Sequence, residues 1–153
     1  MRDGSALERI QADMTAAMKA KDADTLSTLR MLKSALMEAR MRKPKEAGLT
    51  AEEEIEILQR YAKKRREAIE EFRRVGRADL VPREEEEIRV TGRYLPLGLR
   101  EDEVLALIRE AVTKSGAAGP KDVGRVIGAV MAQARGRVEG GTVARLAKEI
   151  LGG

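Results

Sequence analysis

The chain has 153 residues, 42% hydrophobic and 37% charged, with Phe72, Tyr61 and Tyr94 as its aromatics, a composition that suits one or two small domains of packed helices better than sheets. It has no cysteine and no histidine, which excludes disulfides, thiolate nucleophiles, Cys/His zinc sites and imidazole acid–base chemistry. Lys and Arg outnumber Asp and Glu by 30 to 26, a net charge of +4, which allows an anionic partner without requiring one.

Ser5 and Glu8 have the spacing of a capping box, and Leu7, Ile10, Met14 and Met18 follow at helical intervals; together they predict a first helix over about 5–20. Asp22 or Asp24 is placed to cap a second helix with an apolar face of Leu26, Leu29, Leu32, Leu36 and Met37. That helix should end near Arg42, before Pro44 and Gly48 interrupt. Thr50 and Glu53 form a second capping box and open a long third helix, striped by Ile55, Leu58, Ala62, Arg65, Ile69 and Phe72. Arg65 interrupts the stripe: either its stem lies along the seam with its head in solvent, or it faces a cleft that holds an anion.

Gly76 ends the third helix, and Asp79 is the expected cap of a fourth, with Pro82 in its first turn and Val81, Ile88 and Leu95 as apolar contacts. Glu84 to Glu87 then fall near the positive end of that helix, where a solvated acidic face is expected rather than a metal site. Pro96 closes this part, because the residue before a proline is disfavoured in helical geometry. Three shorter helices follow, over about 101–115, 120–134 and 142–151, separated by SGAAGP and ARGRVEGG. The expectation is an all-α protein: an N-terminal four-helix domain over 1–96 and a small three-helix C-terminal domain over 97–153. No catalytic, cofactor-binding or metal-ligating residue is expected.

The start, MRDGSALERI, lacks the apolar core of a signal peptide, and no apolar run approaches the ~20 residues of a membrane span. The expected location is cytoplasmic, with no membrane contact. The most basic run, RYAKKRR from Arg60 to Arg66, reads as a solvated and partly self-paired helix face. Its alternative is a docking surface for RNA or an acidic protein.

The C-terminal part carries the stronger signal. In GRVIGAVM, Gly124 and Gly128 lie inside a helix whose first position is Pro120. The segment has neither the GxGxxG of a dinucleotide fold nor the GK[ST] of a phosphate loop. Each helix-interior glycine costs ~1 kcal/mol relative to alanine, so the pair calls for a partner that approaches the bare backbone: the last helix of the chain, or a nucleic-acid backbone. Lys121 and Arg125 share that helix, Arg135 and Arg137 follow in the loop, and Arg145 and Lys148 sit on the last helix, with Glu139 the one acid between 123 and 148. Such a set could meet phosphates without reading bases.

The segments KAKDADTLSTLRMLKSAL (19–36), EEFRRVGRADL (70–80), RYLPLGL (93–99), KDVGRVIGAVMAQARGRVEGGTV (121–143) and LAKEIL (146–151) together make the chain resemble the GatB/YqeY family, over nearly its whole length. These are small bacterial proteins similar to the C-terminal tail of the GatB component of the glutamine-dependent tRNA amidotransferase. Val123, Ile127 and Glu139 depart conservatively from the family's usual Met, Met and Asp, and Thr91 and Gly92 stand where it tends to be apolar. The resemblance implies two helical domains and a tRNA-facing, non-catalytic module. The family-level label, carbon-nitrogen ligase activity with glutamine as amido-N-donor, then belongs to an assembly in which this chain is at most an accessory. Implied partners are tRNA and an amidotransferase or other translation-related protein. The implied RNA-facing residues are Lys121, Gly124, Arg125, Gly128, Arg135, Arg137 and Arg145. The alternative is a protein-interaction adaptor that binds no nucleic acid.

Overall fold

A computed structural model describes residues 4–152. Residues 1–3, part of the start read above for targeting signals, and residue 153 lie outside the described residues. Among the described residues there are seven α-helices and no strand: α1 (Ala6–Lys19), α2 (Ala23–Met41), α3 (Ala51–Arg74), α4 (Val81–Gly92), α5 (Glu101–Ser115), α6 (Val123–Ala134) and α7 (Gly140–Leu151). The chain divides into two compact units, Met1–Leu95 and Pro96–Gly153.

In the first unit, local signals set most helix starts. Ser5 caps α1 by accepting from the Glu8 backbone N–H at 3.1 Å, and Asp22 caps α2 by accepting from Thr25 at 3.2 Å. The Thr50–Glu53 box is complete in both directions. A further cap comes from a distance: the carboxylate of Glu54, on α3 and 5% exposed, accepts from the backbone N–H of Ala6 at 3.1 Å and of Leu7 at 3.0 Å. These are two of the orphan donors that every helix start presents, so the first turn of α3 completes the first turn of α1.

The core joins Ile10 of α1, Leu29, Leu32 and Leu36 of α2, Leu58 of α3, Val90 of α4 and Tyr94 just after it. Met37, expected on the apolar face of α2, is exposed instead. The fourth helix also starts differently from expectation. A 3₁₀ turn, Ala78–Leu80, leads into Val81, and no side chain caps α4. Asp79 pairs with Arg77 instead, its two oxygens each 3.1 Å from the guanidinium. Thr91, fully buried, donates its hydroxyl to the Glu87 carbonyl at 2.7 Å, which satisfies its polar group inside the core.

In the second unit, α5, α6 and α7 pack on one another around Val104, Ile108, Val126, Val130, Val143 and Leu146. Gly116 and Gly152 end α5 and α7 in the left-handed conformation, at φ 70° and 73°, where a side chain would be strained. The segment before α5 is tied to the loop after α6: Leu99 N–H donates to the Arg137 carbonyl at 2.8 Å, and Arg137 Nε donates to the Leu97 carbonyl at 3.0 Å.

Candidate nucleic-acid interface

The site begins with the punctuation before α6. Pro120–Asp122 form a 3₁₀ turn that feeds directly into Val123. Asp122 accepts from the Ala118 backbone N–H at 3.0 Å and from Arg125 Nη2 at 3.0 Å. The Ala118 bond foremost, and then Arg125, hold its carboxyl below the usual aspartate range. Arg125 is thereby tethered at the helix start, yet its side chain stays 57% exposed.

Val123, Val126, Val130 and Ala134 point α6 into the core, which leaves Gly124, Arg125, Gly128, Ala129 and Ala132 exposed. A Cβ added at Gly124 or Gly128 would meet nothing within 4 Å. The glycines are therefore not there to admit α7 or any other described part of the chain. That half of the sequence expectation is corrected: the cores of α6 and α7 meet through their valines and leucines, on the other side of the helix. Ala129 and Ala132 extend the bare face; the signal for them in the sequence is their spacing, each four residues beyond Arg125 or Gly128.

The other basic residues have separate surroundings. Lys121 is exposed in the 3₁₀ turn, and Arg135 is exposed just after α6. Arg137 is exposed but has a structural duty, holding the 97–99 segment by its side chain and its carbonyl. Arg145 pairs with Glu149 at 3.3 Å and with Glu101 of α5 at 3.7 Å. Thus α6 gathers Gly124, Arg125 and Gly128 on one face one turn after Lys121, while Arg145 is occupied by acidic neighbours.

The basic run of α3 resolves otherwise. Arg65 stacks over the Tyr61 ring at 4.9 Å and lies 3.5 Å from Glu84 and 3.9 Å from Glu87 of α4. The Arg65 head thus meets carboxylates of this chain across the α3–α4 contact rather than reaching out into solvent. Glu84 and Glu87 are only 15% and 13% exposed, so half of the acidic run is not the solvated face its sequence suggested. Tyr61 donates to Glu87 at 3.0 Å; burial, with Glu87 adding to it, pushes the phenol up to about 12. Among the described residues no group of three or more Asp or Glu is placed to hold a metal ion, and no helix is long and apolar enough to cross a membrane.

Relatives share this chain over long stretches. A Pyrenophora tritici-repentis protein described as "Altered inheritance of mitochondria protein 41, mitochondrial" is 30% identical over 152 residues, covering 95% of this chain and 81% of its own length. An uncharacterized Schizosaccharomyces pombe protein is 32% identical over 99 residues, covering 61% of this chain and 78% of its own. The model of the family described as "Yqey-like protein" matches residues 7–151; the chain belongs to that family, the one its anchor segments resemble.

Proposed function

We propose that the chain is a tRNA or structured-RNA binding module that does no chemistry by itself. The observation that supports this best is the exposed face of α6. Gly128 sits in a helix interior at an expected cost of ~1 kcal/mol, and among the described residues nothing takes up the space it leaves. A phosphate backbone lying along Gly124, Gly128 and Ala132 would use that space, with Arg125 and Lys121 beside it for charge-assisted hydrogen bonds. Arg135 and Arg137 extend the basic surface into the following loop. Arg145 would contribute only by exchanging its carboxylate partners for phosphate.

In this reading the chain works as an accessory to a glutamine-dependent amidotransferase or another translation-related protein, and carbon–nitrogen ligation with glutamine as amido-N donor belongs to the partner's catalytic domains. The compartment proposed is the cytoplasm; the name of the Pyrenophora relative places that protein in mitochondria. A titration with total tRNA at two salt concentrations tests the reading. Binding should weaken steeply with salt, and Arg125→Glu and Arg135→Glu should each weaken it further. Absent or salt-indifferent binding would count against it.

A second reading, a protein-interaction adaptor, draws on α2. Met31, Met37 and Met41 are exposed along it, at 50%, 36% and 81%, and a phosphate backbone has no use for such side chains. Recovery of a stoichiometric protein partner after nuclease treatment, with no tRNA binding, would favour it.

A further inference from the structure

The N-terminal unit holds a polar pocket that the RNA reading leaves unused. Arg9 and Asp13 stand one turn apart on α1, and the alanines at 16, 17 and 20 continue their row. Small side chains in that row leave a recess of ≈ 490 Å³, closed by Asp22 at the start of α2 and by Arg93 and Tyr94 after α4.

The side chains are arranged unequally. Tyr94, 4% exposed, donates its hydroxyl to Asp13 Oδ2 at 2.5 Å. Arg9 lies over the Tyr94 ring, 5.6 Å from its centroid. Its Nε is buried and has no hydrogen-bond acceptor, a state that costs more than an ordinary hydrogen bond gains. Asp22 caps α2 through Oδ1; its bonds to Thr25, and then Arg93 and Arg89, hold its carboxyl below the usual range.

Two guanidiniums and two carboxylates line the recess, so its formal charge is zero. A dianion such as phosphate gains little from such a lining, whereas a molecule carrying both signs matches it. We propose that this pocket binds a small zwitterion of the amino-acid class, its carboxylate accepting from Arg9 and its ammonium toward Asp22. The alanine row would leave room for the ligand's own side chain. Nothing in this depends on tRNA binding by α6, so either can fail alone.

Calorimetric titration of the full chain tests the proposal, with L-alanine and a panel of other common amino acids as probes. L-alanine methyl ester, propionate and inorganic phosphate serve as controls. At least one amino acid should bind saturably, one per chain. Its methyl ester, which lacks the carboxylate charge, and its deaminated analogue should each bind at least roughly tenfold more weakly, as expected for loss of a charge-assisted bond. Arg9→Gln should lose about as much while melting no lower than the parent without ligand, since it removes a buried unpaired donor. Ala16→Leu, at an exposed position on the rim, should block binding and leave the fold intact. Absence of saturable amino-acid binding, phosphate binding as well as the amino acid, or unchanged affinity in both variants would overturn the assignment.

Discussion

Glu54 connects two distant stretches by a single carboxylate, its bonds to Ala6 and Leu7 spanning 48 and 47 residues of sequence. Hydrogen bonds to a charged acceptor are each worth more than neutral ones, and buried donors left without one are penalised further. Glu54→Ala should therefore destabilise the protein by about 2–3 kcal/mol in chemical denaturation. Glu54→Gln, which keeps one carbonyl acceptor, should lose less. Amide exchange at Ala6 and Leu7 should accelerate in the alanine variant, since α1 loses its cap first. A loss below about 0.5 kcal/mol, the range of a neutral surface substitution, would mean that water replaces the carboxylate and that the cross-helix cap is incidental.

The contact between α3 and α4 includes the Arg65, Glu84 and Glu87 cluster, and its pH response has a definite sign. Desolvation, opposed by Arg65 and assisted by Glu87, raises the Glu84 carboxyl above its ordinary 4.5. The folded state thus holds this proton more tightly than the unfolded state. Glu84's contribution to stability is fully present below the unfolded value near 4.5 and is lost as pH rises through the raised folded value. Glu84→Gln mimics the protonated form, so its stability relative to the parent should improve as pH climbs from about 4.5 through that window. Parallel stability curves would show that the Arg65 ion pair cancels the burial cost, and a variant that falls behind as pH rises would show that it outweighs it. Glu86 acts in the opposite sense: its bond to Arg89 lowers its carboxyl, giving stability present above 4.5 and lost below it. Because both proteins keep Glu86, comparing them removes its effect.

Across the whole molecule, much of the helical order could be read from local signals. Asp22, Thr50 and Glu53 announce helix starts by spacing alone, and the leucines of α2 repeat every three or four residues because one face meets the core. Groups whose partners lie far away in the chain carry no such local signal. Glu54 looks like an ordinary first-turn acid because its task is set by α1, and Glu84 and Glu87 look solvated because Arg65 is on another helix. The bare face of α6 was half legible. The glycines and Arg125 could be seen, but whether α7 filled the space could be settled only by the packing of Val126 and Val130 against α7.

The same face decides the functional reading as a whole, and Gly128→Ala probes it with two readouts that should move in opposite directions. A methyl group there meets nothing among the described residues, so thermal and chemical unfolding should show a gain of about 0.5–1 kcal/mol, the propensity difference in an exposed helix. If a phosphate backbone lies against that position, affinity for total tRNA at fixed salt should fall in the same variant, and Gly128→Leu should lose more. The decisive measurement is tRNA affinity of Gly128→Ala beside its melting curve: a more stable protein that binds more weakly is the predicted result. A more stable protein that binds tRNA as tightly as the parent would contradict an interface on α6.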